Sequence, residues 1–228
     1  MLSAFKDRLA RAAAFVFDVD GTLLDSHPGH WRAWDRTTRA YGRSYSREEI
    51  EAHFGKTTGA IADALLPHLD PAERARAGQR KAEFFLEEVS SLSPFPGATE
   101  ALAACKRSGR RACLASSNVR RVIVRVVEAF GWAGLVDALV GLEDVERGKP
   151  DPEVVLVAAR KLGVTPDRCV VVGDSAYDVE SAKAAGAVVV VGVLTGVHDR
   201  ERLAAAGADV VLDSVADLVP LASGLPPV

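Results

Sequence analysis

Cysteine is scarce in this sequence. Only three cysteines, Cys105, Cys113 and Cys169, occur among the 228 residues, and no two of them share the C-x-x-C spacing of a zinc site. A chain of this length can bury a sizeable core and needs no disulfide to hold it. This cysteine usage is typical of a reduced, intracellular protein.

Long hydrophobic runs and an excess of one charge are also missing. The longest apolar run, residues 184–197, is interrupted by glycine and is shorter than the roughly 20 residues that span a bilayer. The formal net charge is −3, with both signs interspersed, which gives no sign of a surface for nucleic acid or an anionic membrane. We therefore predict a cytoplasmic protein, monomeric or weakly dimeric, without nucleic-acid or membrane partners.

Residues 26–93 have a helical pattern and hold no convincing β run. Helices are predicted at residues 27–41, 47–54 and 58–65. A fourth helix is predicted to begin at Asp70-Pro71, which combines an N-cap aspartate, proline at the first helical position and a capping-box glutamate. This stretch is expected to be all-helical.

From Pro96 onward, helical and strand patterns alternate. The predicted strands are FVF near residue 16, RACLAS, VDALVG, CVVVGD, AVVVVGV and ADVVL. Valine-rich strands joined by helices indicate a parallel sheet covered on both faces, and hence an α/β fold. The last residues, ASGLPPV at 222–228, are predicted to be a frayed tail.

Polar residues follow four of these strands, where ligands of open parallel sheets bind. They are Asp18 and Asp20, Ser116, Lys149, and Asp174 with Asp178. Any one of them alone would more often be a structural cap. Together they are harder to dismiss, because two carboxylates about 4 Å apart repel by about 4 kcal/mol at an effective dielectric of 20. A magnesium ion together with Lys149 would balance the charge and leave a pocket suited to phosphate.

Four short motifs carry a family resemblance. DVDGT (18–22), LASSN (114–118), GKPDP (148–152) and GDSAYD (173–178) resemble the four ordered motifs of the haloacid dehalogenase superfamily. The helical stretch after the first motif is similar to the type C1 cap of its phosphoglycolate phosphatase and β-phosphoglucomutase-like branch. The resemblance implies a three-layer, Rossmann-like core domain of residues 1–25 and 94–228, with an inserted helical cap domain of residues 26–93.

The resemblance also implies roles for the catalytic residues. Asp18 would be the nucleophile that forms an aspartyl phosphate, and Asp20 would protonate the leaving alcohol and then activate water. Asp20 must then be protonated in the first step, which crowding by other carboxylates is expected to favour. Ser116 would hold the phosphoryl oxygens, and Lys149 would neutralise charge on the nucleophile and the phosphate.

Binding roles follow in the same way. Gly21 and Thr22 would shape the turn that binds phosphate, and the backbone N–H groups of Ser117 and Asn118 would contact its oxygens. The magnesium ligands would be Asp18, Asp174 and the backbone carbonyl of Asp20, with Asp178 acting directly or through water.

The helical stretch offers two further candidates for substrate binding. Lys56 lies where C1-capped relatives place the loop that selects the substrate, although a solvated lysine between two helices is an equal alternative. His30 lies in a helix that resembles one near the substrate pocket of β-phosphoglucomutase-like members. The neighbouring Trp31 and Trp34 fit a hydrophobic core better than a sugar-binding platform.

The predicted function is a magnesium-dependent phosphatase acting on a small phosphorylated metabolite, such as phosphoglycolate or a sugar phosphate. A β-phosphoglucomutase-like mutase is an alternative, since nothing in the sequence reports the lifetime of an aspartyl phosphate. A phospho-switch without turnover is less favoured, because receiver domains are about half this length. A haloacid dehalogenase is disfavoured by Asp20, which such enzymes lack.

Overall fold

A six-stranded parallel sheet forms the centre of the protein. The computed structural model describes residues 2–226, with side chains from residue 5 onward. The strands are β1 (Ala14–Phe17), β2 (Leu24–Asp25), β3 (Ser93–Pro94), β4 (Arg111–Ala115), β5 (Ala138–Val140), β6 (Cys169–Gly173), β7 (Val189–Val193) and β8 (Val210–Leu212). The main sheet has the order β5-β4-β1-β6-β7-β8, so β1 lies between β4 and β6.

Helices surround this sheet. They are α1 (Leu2–Ala10), α2 (His27–Ala40), α3 (Arg47–Glu51), α4 (Thr58–Leu65), α5 (Pro71–Glu88), α6 (Ala98–Arg107), α7 (Arg120–Ala129), α8 (Glu153–Leu162), α9 (Ala176–Ala185), α10 (Arg200–Ala205) and α11 (Leu218–Ser223). No helix within residues 2–226 is long and apolar enough to cross a membrane.

Each face of the sheet packs against its own hydrophobic cluster. In β1, Phe15 and Phe17 point to the face that α6, α7 and α11 cover, whereas Ala14 and Val16 point to the face that α8, α9 and α10 cover. This alternation follows from the two-residue period of a strand. The predicted three-layer, Rossmann-like α/β fold is confirmed.

The three cysteines are free and buried in these two clusters. Burial raises the pKa of each thiol to about 12. The cysteines therefore act as small core residues rather than as reactive groups.

The helical segment, residues 26–93, contains α2 to α5. The capping box at Asp70 and Glu73 begins α5 as predicted. Helix α3 ends at Glu51, earlier than the predicted residue 54, and a turn leads to Gly55 at φ +86°. Trp34 is buried with Ile50 and Leu65 in a third hydrophobic cluster, as expected of a core residue.

The helical segment leaves and rejoins the sheet region at one place. β2 and β3, which the sequence patterns did not reveal, form a two-residue antiparallel ribbon that pairs Leu24 with Pro94 and Asp25 with Ser93. Next to it, Phe85 and Val89 of the segment enter the hydrophobic cluster on the Phe15 face of the sheet. The ribbon and this contact hold the segment above the carboxyl end of β1.

The predicted tail is wrong over part of its length. Ala222 is fully buried within α11, and Arg110 Nη1 donates to the carbonyl oxygen of Pro226 at 2.9 Å. Packing of an apolar helix face and a buried guanidinium thus order this stretch. Residues 227 and 228 lie outside the described part of the chain.

Candidate active site

Three carboxylates meet at the carboxyl end of the sheet. Asp18 follows β1, Asp174 follows β6, and Asp178 lies in the first turn of α9. Because β1 and β6 are hydrogen-bonded neighbours, the residues that follow them lie side by side. One oxygen from each of the three carboxylates lies within 4.8 Å of the others.

Lys149 is bound between two of these carboxylates. Its Nζ lies 2.6 Å from Asp18 Oδ1 and 2.6 Å from Asp178 Oδ1, and it donates to the carbonyl oxygen of Ala115 at 3.0 Å. All three protons of the ammonium group therefore have an acceptor. Burial lowers the pKa of Lys149, but Asp178 and Asp18 outweigh it and raise that pKa above its usual value.

Negative charge exceeds positive charge in this cluster. Burial raises the pKa of Asp18 well above its usual value; Lys149 opposes this, while Asp178 and Asp174 add to it. Burial and Asp178 raise the pKa of Asp174 to about 7. When ionised, the three carboxylates carry two more negative charges than the single ammonium group balances. Their oxygens are hard donors, so a divalent cation such as Mg²⁺ fits the site.

Asp174 is held in place by the backbone around it. Its Oδ2 accepts from the backbone N–H of Val197 at 2.8 Å, and Thr22 donates to its Oδ1 at 3.2 Å. A Cβ at Gly196 would lie 1.8 Å from Asp174 Oδ2, so only glycine allows this approach. Asp174 is thereby fixed beside Asp18.

Asp178 is engaged through both oxygens. Oδ1 contacts Lys149, while Oδ2 accepts from the N–H and the hydroxyl of Ser175 at 3.1 and 2.5 Å. Asp178 is thus fixed beside Lys149, as Asp174 is fixed beside Asp18.

Gly21 and Thr22 support Asp174 and do not border the cavity described below. Gly21 has φ +79°, as a tight turn after the strand requires, and a Cβ there would lie 2.7 Å from Asp174 Oδ2. Thr22 is fully buried. Gly21 and Thr22 thus contact Asp174, and their role in phosphate binding stays a prediction.

Asp20 faces away from the acidic cluster. Its Oδ2 accepts from Asn118 Nδ2 at 2.7 Å and from the Ser116 hydroxyl at 3.1 Å. Ser116 Oγ also accepts from the N–H of Asn118 at 3.0 Å, so that amide is already occupied. Of the residues predicted to hold phosphate in this loop, Ser117 is exposed and borders the cavity, whereas Ser116 is buried against Asp20.

Asp20 is also linked to the helical segment through His30. His30 Nε2 lies 2.8 Å from Asp20 Oδ1, and Lys81 Nζ lies 2.7 Å from His30 Nδ1. Because an ammonium group can only donate, Nδ1 is the acceptor and Nε2 carries the proton toward Asp20. His30 therefore contacts Asp20 as well as bordering the cavity.

This arrangement overturns one expectation about protonation. Burial raises the pKa of Asp20, but the charge and hydrogen bond of His30, with smaller contributions from Ser26 and Lys81, lower it below its usual value. The neighbouring carboxylates do not dominate, because the Asp20 side chain turns toward His30 and Asn118. The lowered pKa favours the ionised form of Asp20.

Two pKa values set the state of the Asp20 partners. Burial and the nearby Lys81 lower the pKa of His30 to about 4, so this ring is neutral near pH 7. Burial lowers the pKa of Lys81 to about 8, against an opposing effect of Asp20. Between about pH 4 and pH 8, His30 is therefore neutral, with the Lys81 ammonium group on one side and the Asp20 carboxylate on the other.

Lys81 is the main site residue that sequence reasoning missed. Its side chain comes from α5 and is 97 % buried, with 3 % relative exposure. A signal was present, because Ala77, Lys81 and Phe85 recur every four residues and all three are buried on one helix face. A lysine at a core position of an amphipathic helix calls for a buried partner.

A cavity of about 120 Å³ lies above these residues. Asp18, Asp20, Lys149 and the acidic pair at 174 and 178 line it from the sheet side, and Lys56 lines it from the helical segment. Lys56 Nζ lies 3.2 Å from His53 Nδ1. Lys56 thus borders the cavity while exposed between α3 and α4, so its role in substrate binding stays a prediction beside the alternative of a solvated lysine between two helices.

At one edge of this cavity, the helical segment contacts the residues that follow β6 and β7. A Cβ at Gly55 would lie 3.3 Å from Val197 and 3.7 Å from Tyr177, and all three residues border the cavity. Tyr177 and Val197 had no role in the sequence prediction, since neither residue type marks a ligand site.

Comparison of the chain with known protein families identifies its family. The model of the family described as haloacid dehalogenase-like hydrolase matches residues 12–186, and the chain belongs to this family. It is an enzyme, a phosphomonoester hydrolase of the haloacid dehalogenase type.

The chain is also similar to individual phosphatases and to a solved structure. The chain is 32 % identical to fructose-1-phosphate phosphatase YqaB of Escherichia coli, over 77 % of this chain and 94 % of that one. It is 30 % identical to a phosphoglycolate phosphatase of Salmonella choleraesuis, over 96 % of each. The crystal structure of CbbY from Rhodobacter sphaeroides in complex with phosphate matches with a TM-score of 0.79 and 29 % identity, covering 91 % of this chain and 96 % of that one.

Proposed function

We propose that the protein is a magnesium-dependent phosphatase that hydrolyses a small phosphomonoester through an aspartyl phosphate. The observation that carries this proposal is that two carboxylates lining one cavity have different partners. Asp18 lies with Lys149 and the acidic cluster, while Asp20 has hydrogen-bond partners of its own, Ser116 and Asn118. The similarity to phosphatases of sugar phosphates and phosphoglycolate supports the substrate class.

In the first step, a carboxylate oxygen of Asp18 attacks phosphorus. The bond between phosphorus and the alcohol oxygen breaks, and Asp20 gives its proton to that oxygen. Lys149 neutralises charge on Asp18 and on the phosphoryl oxygens. The products of this step are the free alcohol, the aspartyl phosphate and an ionised Asp20.

In the second step, Asp20 takes a proton from water, and the resulting hydroxide attacks the phosphorus of the aspartyl phosphate. The bond between phosphorus and the Asp18 oxygen breaks, which releases inorganic phosphate and restores the Asp18 carboxylate. The ionised form of Asp20 that His30 and Lys81 favour is the form that this step requires. For the first step, a phosphate dianion bound next to Asp20 would raise its pKa, because a nearby like charge favours the neutral carboxyl group.

Magnesium would be held by Asp18 and Asp174, with the Asp20 carbonyl and Asp178 completing or supporting the site. When bound, it supplies positive charge that keeps Asp18 ionised and stabilises charge on the phosphoryl oxygens. The raised pKa of Asp174 and the excess of carboxylates support this assignment.

We further propose that residues 26–93 form a cap domain over a core domain of residues 1–25 and 94–228. The single crossing at the β2–β3 ribbon and the separate hydrophobic cluster around Trp34 support this division. His30 and Lys81 would then reach Asp20 when the cap is closed, which links closure to the state of the acid and base.

The test is release of inorganic phosphate from a panel of phosphorylated metabolites, including phosphoglycolate and fructose 1-phosphate, with and without Mg²⁺. We expect steady turnover that a chelator removes. Asp18→Asn should lower it by on the order of 10⁴-fold or more, as loss of a nucleophile does. Asp20→Asn should lower it by about 10²–10⁴-fold, the range of general acid and base catalysis.

Two results would contradict the proposal. Unchanged turnover in Asp18→Asn would exclude Asp18 as the nucleophile. Absence of turnover across the whole panel would exclude the phosphatase function. Conversion of glucose 1-phosphate to glucose 6-phosphate without net phosphate release would instead identify a mutase.

A further inference from the structure

A second cavity, of about 320 Å³, adjoins the one above the carboxylates. It lies between α4 and α5 on one side and residues 117–119 and 142 on the other. Four residues border both cavities, namely Thr58, Lys81, Ser117 and Asn118. These residues form a common wall, and one of them, Asn118, donates to Asp20, the proposed acid for the leaving alcohol.

The two cavities differ in volume, which limits the size of the group that each can hold. The cavity above the carboxylates, at about 120 Å³, is less than half the size of its neighbour. A phosphoryl group bound at Asp18 already occupies part of the smaller space. A bulky alcohol would extend beyond the smaller space, and the larger cavity is the neighbouring space.

The walls of the larger cavity are mainly small or apolar, including Gly59, Ala62, Ala75, Gly78 and Val119. At its edge, the side chain of Leu142 is 43 % exposed, which is unusual for a large apolar residue in this protein. Cavities of about 300 Å³ or more, lined by apolar groups with a few polar ones, are typical of small-molecule sites.

Two cations, Arg74 and Lys81, border this cavity. Arg74 Nε lies 2.8 Å from the exposed carboxylate of Asp63, and Arg74 Nη1 donates to the Leu69 carbonyl oxygen at 3.0 Å. Lys81 Nζ lies 2.7 Å from Nδ1 of the neutral His30, so among the described residues its charge has no counter-ion in this cavity. The hydroxyls of Thr58 and Ser117 can bind polar groups of the ligand.

We propose that this cavity binds the alcohol part of the substrate, and that this alcohol is a bulky, partly apolar group. The inference rests on the proposed phosphatase function and specifies its substrate class. An aryl alcohol and an N-acylated sugar share this chemistry. A short alcohol such as that of phosphoglycolate would leave the cavity empty.

Gly59 allows a direct test. Gly59 borders the cavity, and a Cβ there would have no atom within 4 Å. Gly59→Leu therefore adds bulk at the cavity wall, and leucine favours a helix more than glycine does. Ala60→Leu is the matched control, since Ala60 is exposed on the same helix and borders neither cavity. Equal melting temperatures would show that both variants fold.

The measurement is the ratio of kcat/KM for 2-naphthyl phosphate to that for methyl phosphate. We expect the wild type to prefer the naphthyl ester, Gly59→Leu to lower the ratio by about tenfold or more, and Ala60→Leu to preserve it. The same comparison of N-acetylglucosamine 6-phosphate with glucose 6-phosphate separates a sugar from an aryl group. An unchanged ratio in Gly59→Leu, or no preference in the wild type, would overturn the inference.

Failure of the proposed function is distinguishable from failure of this subsite. If no ester is hydrolysed, the subsite is judged by binding of 2-naphthyl phosphate to Asp18→Asn, measured by calorimetry. Weaker binding when Gly59→Leu is added supports the subsite, whereas equal affinity contradicts it.

Discussion

The two sides of the catalytic cavity are built differently. On the sheet side, the carboxylates of Asp18, Asp20 and Asp174 are each fixed by close contacts to groups from distant parts of the chain. On the side of the helical segment, His30 and Lys81 are held by hydrogen bonds, but the loop residue Lys56 is exposed and its close contact is with His53. The groups around Asp18 and Asp20 are thus held on both sides, while Lys56 is loosely held.

Burial explains this difference. A buried charge without partners is costly, so each acid on the sheet side must be paired or hydrogen-bonded for the chain to fold. An exposed lysine is solvated and carries no such requirement. We therefore expect substitutions on the sheet side to have the larger effects.

Lys149 should show the largest effect on turnover among the residues outside the acid pair. Lys149→Met removes the cation between Asp18 and Asp178, and we expect kcat to fall by about 10²–10³-fold, as for loss of other charge-stabilising groups. Steady-state phosphate release measures this. Arg147→Met is the control, because Arg147 lies on the same loop with its side chain 73 % exposed. A similar loss in both variants would point to the loop rather than to the cation.

Asp174 should govern stability as a function of pH. Its pKa is about 7 in the fold and about 4 in an unfolded chain. The folded protein therefore binds this proton more tightly, so the stabilisation is complete below about pH 4 and is lost as the pH rises through 7. The melting temperature of the metal-free protein should fall over this range.

Magnesium should reverse that loss at pH 7.5. At about 100 times its dissociation constant it adds about 2.7 kcal/mol, which corresponds to roughly 5–10 °C in a chain of this size. Asp174→Asn should remove both the pH dependence and the magnesium effect, whereas Asp167→Asn, on the exposed surface, should keep them. A magnesium effect that survives in Asp174→Asn would exclude Asp174 as a ligand.

Lys81 should have a smaller effect that depends on pH. Since the pKa of Lys81 is about 8, its ammonium group fixes the proton of His30 on Nε2 below that pH and loses this hold above it. The kcat/KM of the wild type should therefore decline with a midpoint near pH 8. Lys81→Met should lower kcat/KM by about 10–100-fold, as for other groups that orient a reacting side chain, and remove this decline.

Arg80→Met is the control for Lys81, because Arg80 is an exposed neighbour on α5. An identical alkaline decline in Lys81→Met and the wild type would show that another group titrates. The link from Lys81 through His30 to Asp20 would then have no part in turnover.

Lys56 should show the smallest effect. An exposed charge contributes less than about 1 kcal/mol, so Lys56→Ala should raise KM by about two- to fivefold and leave kcat nearly unchanged. Arg107→Ala, exposed on α6, should change neither constant. A fall in kcat of the size seen for Lys149 would contradict the contrast between the two sides of the cavity.

Much of the sheet side could be predicted because its signals are local. An apolar strand followed at once by an acid, as in residues 15–18 and 169–174, places that acid at the carboxyl end of a parallel sheet. The order of the motifs and the strands around them therefore sufficed to predict where Asp18, Lys149 and Asp174 meet.

The remainder depends on how distant elements pack. Lys81 reaches His30 across 51 positions of the chain because α5 lies against α2, and no local pattern encodes that approach. The same holds for Asp20, whose charge state depends on the direction its side chain takes between two sets of neighbours. The short β2–β3 ribbon lies below the length at which an alternating pattern is visible.

That ribbon has a consequence for how such a protein can change. The chain departs at Asp25 and returns at Ser93, which are paired directly with each other. Insertions, deletions or a wholesale exchange between these two points would break no hydrogen bond of the six-stranded sheet. The fold thus allows the segment that borders one side of the cavity to vary without disturbing the sheet, provided that the contacts of His30 and Lys81 with Asp20 are retained.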